Sequence, residues 1–162
     1  TSKGHKSIAI VHGPLADSDR TRARRAGADS VSFRGVKLDY FEVPLEVSGG
    51  RQAFRQILQG GLQHTAVLCF SDVLALGCYF GAQEAGILIP QQLSLMGFDN
   101  LDWSVELFPR LTTVNLPARR MGQLAATSLI AHLENGETIE PSLVKGEIIE
   151  RDSVRDLTKL NK

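Results

Sequence analysis

The sequence has few of the residues, and none of the motifs, that mark enzymes, redox proteins or metal sites. It lacks the GxSxG elbow of hydrolases, the Walker phosphate loop and the GxGxxG dinucleotide fingerprint. Its four histidines are scattered, and none lies at metal-ligand spacing from cysteine, aspartate or glutamate. The two cysteines, Cys69 and Cys78, form no CxxC pair, which favours two buried thiols in a reducing compartment. We therefore expect no enzyme activity, no cofactor and no metal.

An excess of charge of either sign is also missing. The 162 residues carry 18 Lys and Arg against 18 Asp and Glu, a formal net charge of zero. Because nucleic-acid binding needs clustered cations for phosphate contacts, this segment is not expected to bind DNA by itself. A local basic cluster is typical of a solvated helix face, and its members are Arg20, Arg22, Arg24 and Arg25.

Long hydrophobic runs are absent as well. No apolar stretch approaches the length of a membrane span, so no membrane partner is expected. No signal peptide is visible, but the sequence begins at Thr1 rather than at Met, so this absence carries little weight.

Short apolar strands alternate with helices along the whole chain. Strands are predicted at 7–12, 38–43, 65–70, from 94 onward, at 111–115 and at 143–150. Helices are predicted at 20–29, from 48 to the glycines at 60–61, from 71 to about 85, and at 118–134. Since parallel neighbours need crossover connections, this alternation predicts an α/β fold with a doubly wound parallel sheet and helices on both faces.

Polar residues follow three of the predicted strands. His12 ends the first, Ser71 and Asp72 follow the third, and Asp99 follows the run that begins at Ser94. In a doubly wound sheet these carboxyl ends converge on one crevice, where ligands bind. A carboxylate there suits vicinal hydroxyls or ring N–H groups.

Two further side chains would complete a binding cleft. Arg24 suits a ring oxygen, a hydroxyl or a phosphate, and Trp103 offers a stacking face. Structural alternatives remain open: a core role for Trp103 and His12, and a helix cap for Asp72. The pair Asp99 and Asp102 has two alternatives, a cation site or the capping of turns.

The helix predicted at 118–134 has an apolar surface wider than one partner needs. Its stripe includes Met121, Leu124 and Leu129, and Ile130 widens it. We expect this helix to contact two partners, such as the sheet and a second lobe or subunit.

Several ordered motifs resemble those of the lactose/galactose/purine repressor family (LacI/GalR). They are TAVLCFSDVLALG at 65–77, EAGILIP at 84–90, SLMGFDN at 94–100, LTTV at 111–114 and MGQLA at 121–125. The resemblance begins with GHKSIA at 4–9 and covers nearly all of the chain. It implies a lobe like those of periplasmic binding proteins, with flavodoxin-like strand order.

The resemblance also assigns roles to single residues. Asp99 matches the carboxylate that hydrogen-bonds an effector sugar or purine, and Arg24 matches the arginine that reaches the effector. Ser71 occupies a position where many members have asparagine, and Leu45 falls near an aromatic of the cleft wall. The sequence departs from the family pattern at Ala28, where an aromatic is usual, and at Leu116, where a polar residue is common.

The family's helix-turn-helix and first clamshell lobe have no counterpart in this sequence. We therefore expect a C-terminal lobe at 1–116, a helix at 117–138 that would return to the other lobe, and a last strand with a polar tail at 139–162. The resemblance implies that the chain senses a small-molecule effector, expected to be a carbohydrate, in a cytoplasmic, homodimeric regulator that binds operator DNA through another domain.

Two other functions remain open at this point. A periplasmic sugar-binding protein of a transporter shares the clamshell, and a flavodoxin-like enzyme shares the strand order but would need a nucleophile, base pair or phosphate loop. The apolar stripe further suggests self-association, with exchange of helix 118–134 between chains as one route.

Overall fold

A four-stranded parallel sheet forms the centre of the fold. The computed structural model describes residues 2–16, 18–31 and 35–159. The strands are β1 (Ser7–His12), β2 (Lys37–Glu42), β3 (Ala66–Cys69) and β4 (Ser94–Met96). Their spatial order is β2-β1-β3-β4, and each neighbouring pair is parallel. This is the flavodoxin-like order expected of a doubly wound sheet, so the predicted fold class is confirmed.

Two helices cover one face of the sheet and build the core. They are α2 (Val47–Leu58) and α3 (Asp72–Glu84), which pack closely against each other. Phe54 of α2 and Leu74 of α3 are almost wholly buried against alternate strand residues such as Val11 and Val67. Burial of one such large apolar side chain contributes about 1.5–3 kcal/mol, so this layer supplies most of the apolar stabilisation.

Helix α1 (Asp19–Asp29) lies on the opposite face and is attached differently. The hydroxyl of Ser18 caps it by accepting a hydrogen bond from the Thr21 amide at 3.2 Å, and none of its residues is buried. An apolar cavity of about 430 Å³ lies between this helix and the sheet, lined in part by Ile10, Leu68 and Ala28. Ala28, which stands where the resemblance places an aromatic, is one of the residues that line this cavity.

The last two strands differ from the prediction of a wholly parallel sheet. Strands β5 (Thr113–Asn115) and β6 (Glu147–Ile149) form an antiparallel pair, and an isolated parallel bridge from Thr112 to Met96 joins β5 to the main sheet. The helix between them is not packed on the sheet, so it does not act as the crossover on which the parallel expectation depends.

That intervening helix, α4 (Ala118–Asn135), is exposed along most of its length, and only Ser128 and Ala131 are half-buried. It contains no buried residue, and Gly136 ends it in the left-handed conformation. Met121 is 46% exposed, Leu124 37% and Leu129 51%. The apolar stripe predicted from the sequence is therefore present and uncovered in this chain. Of the helices in the described residues, none is both long enough and apolar enough to cross a bilayer.

Candidate functional site

The candidate site lies at the carboxyl ends of β1, β3 and β4. After β4 the chain turns through Asp99 and Asn100, whose φ angles of 113° and 53° lie in the left-handed region that non-glycine residues rarely adopt. Backbone hydrogen bonds fix this turn: the amide of Asp99 donates to Val114 at 2.9 Å, and Phe98 accepts from the amide of Asp72 at 2.7 Å. Local strain held by surrounding contacts is common at binding sites.

Arg24 reaches the turn from α1. Its Nη2 lies 3.4 Å from Oδ1 of Asp99, and its Nη1 donates to the backbone carbonyl of Phe70. The guanidinium carbon lies 3.6 Å from the centre of the Phe98 ring. The side chain is 17% exposed. The structure therefore brings together the arginine and the carboxylate that the sequence predicts for the site, although they are 75 residues apart.

The electrostatics of this pair are those of a partly dehydrated site. Burial raises the pKa of Asp99 above its ordinary value of 3.8, and nearby Asp72 adds to the rise; Arg24 and the Ser71 hydroxyl oppose it. Burial also lowers the pKa of Arg24, which Asp99 partly offsets. Both charged groups are therefore held partly out of water, and each is the nearest counter-ion of the other.

A small cleft of about 100 Å³ opens beside this pair. The first residues of α1 form one wall, the ends of the strands form the other, and the lining residues are Gly13, Ser18, Arg20, Thr21, Arg24, Leu45, Phe70, Ser71 and Asp99. Ser71 also caps α3 by accepting a hydrogen bond from the amide of Val73 at 3.2 Å. Sequence reasoning missed Arg20, Ser18 and Phe70 as cleft residues, since Ser18 signals a helix cap and Phe70 a strand end.

Asp72 lies beneath the cleft rather than in its wall. It is fully buried; Oδ1 accepts from the Thr113 hydroxyl at 2.7 Å and Oδ2 accepts from the Leu101 amide at 2.9 Å. A Cβ added to Gly97 would overlap the Asp72 carboxylate, so only glycine fits there. Direct contact between Asp72 and an effector stays a prediction; both of its oxygens accept hydrogen bonds that support the turn, and this geometry favours a structural role.

His12 and Trp103 are not among the residues that line the cleft. His12 is 1% exposed, donates from Nδ1 to the Gly13 carbonyl at 2.7 Å and is enclosed by the rings of Tyr40 and Phe70. Trp103 is partly buried and packs against the hydrophobic core. Their contact with an effector stays a prediction, and this geometry favours the structural alternatives.

The arrangement suits recognition of a small polar molecule. The cleft offers guanidinium donors, a carboxylate acceptor, a hydroxyl and the apolar surface of Leu45 and Phe70. Charge-assisted hydrogen bonds of this kind are about twice as strong as neutral ones. Within the described residues there is no group of three or more His, Cys, Asp or Glu placed to hold a metal ion.

Curated relatives of the chain are transcriptional repressors. The chain is 35% identical to the HTH-type transcriptional repressor PurR of Vibrio cholerae, over 98% of the chain and 48% of that protein. It is 31% identical to PurR of Photorhabdus laumondii, over 95% of the chain and 46% of the relative. The chain thus spans about half the length of the curated relatives it matches.

The chain is also similar to solved structures of transcriptional regulators. A sugar-binding transcriptional regulator of the LacI family from Escherichia coli, complexed with phosphate, superposes with a TM-score of 0.87 at 28% identity, over 95% of this chain and 56% of that one. A LacI family regulator from Enterococcus faecium with bound ribose gives 0.86 at 30% identity, over 96% and 59%.

The family described as "Periplasmic binding protein-like domain" matches residues 1–154. This match includes the sheet, the cleft and α4. The chain therefore belongs to the family of periplasmic binding protein-like domains, and it resembles the form of that domain found in LacI-family transcriptional regulators.

Proposed function

We propose that this chain is the C-terminal, effector-sensing lobe of a cytoplasmic LacI-family regulator and that its effector is a small polyhydroxylated molecule, most simply a sugar. The observation that carries the proposal is the Arg24–Asp99 pair at the mouth of the cleft. A guanidinium beside a carboxylate presents donors and an acceptor to neighbouring hydroxyls. The ribose bound by the Enterococcus faecium regulator is a molecule of this class.

The same proposal gives a role to α4. Residues 1–116 form the lobe, 117–138 carry the helix that returns to a second lobe, and 139–162 add β6 and the tail. The absence of buried residues in α4 supports this division, because an apolar stripe exposed along an 18-residue helix is expected to be covered in the functioning protein.

The mechanism proposed is a shift between open and closed lobes. Arg24 and Asp99 hold the effector on this side, so the closed state, in which the second lobe also contacts it, binds more tightly. Such differential affinity shifts the population of the two states and with it the geometry of a dimer's DNA-binding heads. Operator DNA is contacted by a domain outside this sequence.

The test is to titrate ribose into the wild type and into Asp99→Asn and to measure binding from the changes in amide chemical shifts by NMR. We expect shifts at the cleft for the wild type and an affinity at least about tenfold lower for Asp99→Asn, because the charged acceptor is lost. The matched control is Asp102→Asn, the same change at an exposed carboxylate three residues away.

Two results would contradict the proposal. One is equal ribose affinity of Asp99→Asn and the wild type. The other is the absence of cleft shifts in the wild type with either ribose or hypoxanthine, which represent the sugar and purine classes of effector.

A further inference from the structure

Arg151 makes four hydrogen bonds to residues around the turn at Asp99 and Asn100. No motif in the sequence marks this arginine. Its Nη2 donates to Oδ1 of Asn100 at 2.6 Å, and its Nη1 donates to the hydroxyl of Ser104 at 2.9 Å and the carbonyl of Leu111 at 2.6 Å. Its amide donates to the hydroxyl of Thr112 at 3.0 Å. One guanidinium therefore joins both sides of the loop at 100–111.

The Arg151 contacts continue into those of Asp72. Asn100 receives Arg151 on its side chain, while its own amide donates to the Thr113 hydroxyl at 3.3 Å; that hydroxyl in turn donates to Asp72. Asp72 also accepts from Leu101. Asn100, the second of the two left-handed residues, therefore belongs to a hydrogen-bond network. The network ends at Asp72 of α3 on one side and at Arg151, after β6, on the other.

We propose that Arg151 is a positioning residue for Asp99: it holds Asn100 in its left-handed conformation and so keeps the neighbouring carboxylate turned toward Arg24. This inference rests on the proposed function, and it adds a connection between two parts of the molecule. Arg151 lies two residues after β6, through which the chain returns from α4. A displacement of the α4 and β6 region therefore reaches the effector-facing turn through this side chain.

The physical reason is that the turn has an intrinsic cost. Non-glycine residues in sparsely populated backbone regions are destabilised by about 1–3 kcal/mol each, and they persist only where surrounding contacts hold them. The backbone bonds from Asp99 and Phe98 hold the first half of the turn. Asp72, Asn115 and Arg151 hold the second half, since the Asn100 side chain also donates from Nδ2 to Oδ1 of Asn115 at 3.4 Å. Of these three residues, only Arg151 lies beyond α4.

The test measures amide hydrogen exchange by NMR in the free chain, so it requires no effector. In Arg151→Met we expect the amides of Asn100 and Leu101 to exchange about tenfold faster, in line with the loss of a hydrogen bond to a charged group. The amides of Val11 and Val67 in the central strands should keep their rates. The control is Arg110→Met, which removes an exposed ion pair to Asp152 and should change neither set.

A second readout links the turn to the site. Where the wild type binds ribose, Arg151→Met should weaken binding about tenfold, and Arg151→Lys, which keeps the charge but not the forked donors, should restore part of it. If the wild type shows no ribose binding, the proposed function fails in that form while the exchange measurement still decides the role of Arg151.

Unchanged exchange at Asn100 and Leu101 in Arg151→Met would overturn the inference. Equal acceleration of the strand amides would also overturn it, because that result indicates a general contribution to stability. If Arg151→Met does not fold, Arg151→Lys is measured instead, and it should show the same selective pattern with a smaller increase.

Discussion

At the scale of single residues, the features that suit Asp99 to ligand binding also lower the stability of the folded chain. Its φ is 113°, its side chain is 34% exposed, and burial raises its pKa. A raised pKa means that the folded state holds the proton more tightly than the unfolded state does. This group's contribution to stability is therefore complete below the unfolded value of 3.8 and is lost as the pH rises through the folded value.

It follows that Asp99→Asn should increase the free energy of unfolding at pH 7. Asparagine carries no charge to dehydrate, and it tolerates the left-handed region well. The gain should be below about 1 kcal/mol, because water screens a side chain that is a third exposed. Thermal unfolding at pH 7 and at pH 3 measures it: the difference from the wild type should vanish at the lower pH. A lower Tm at pH 7 would contradict the expectation.

The principal residues of the cleft could be predicted from the sequence, but their supports could not. Asp99 and Ser71 stand directly after strands, where the fold class places ligands, and the resemblance singled out Arg24. The Asp72 network depends on contacts between residues 29 to 41 positions apart. Arg151 lies 51 residues from Asn100 and has no local pattern that marks it. Only the folded chain shows such pairings.

At the scale of elements, the contact between α2 and α3 depends on two glycines that face each other. A Cβ added to Gly77 would lie 2.6 Å from the Cα of Gly50 and would overlap the carbonyl of Val47. Backbone atoms cannot move aside as a flexible side chain does. Gly77→Ala is therefore expected to destabilise the chain by about 1–3 kcal/mol, as overpacked core substitutions do.

The matched control for Gly77→Ala is Gly122→Ala, the same change in the exposed helix α4. A Cβ there would meet nothing within 4 Å, so the only effect is the higher helix propensity of alanine, a gain of up to about 1 kcal/mol. Urea denaturation measures both variants. Similar stability changes of the same sign in the two would show that the helix contact is not as tight as described.

The bounds of the helices and strands could be predicted from the sequence more accurately than the way the last two strands pair. The bounds of β1 and α3 agree with the predictions because apolar runs, caps and glycine stops are local signals. The antiparallel pairing of β5 with β6 was missed, because it depends on where α4 goes. No local sequence pattern shows whether a helix packs on the sheet or leaves it, so the pairing of the strands on either side of α4 could not be predicted.

At the scale of the whole molecule, the exposed face of α4 predicts that the isolated chain associates with itself. Leu129 and Leu133 are 51% and 73% exposed on the same stripe, and uncovered apolar surface of this kind favours association. Light scattering at micromolar concentration should show a dimer or larger species. Leu129→Glu should shift it toward the monomer, whereas Thr127→Glu, on the opposite side of the helix, should not. A strictly monomeric wild type would contradict this prediction.

The polar attachment of α1 has a consequence for how long the cleft exists. Because α1 buries no residue, the free energy that holds it against the sheet comes from a few polar and ring contacts, with Arg24 central among them. Regions with so little buried apolar surface unfold locally well before the core does. Each detachment of α1 would remove one wall of the cleft while the sheet stays folded. The lifetime of the binding-competent state is then set by this one helix, and a bound effector would prolong it.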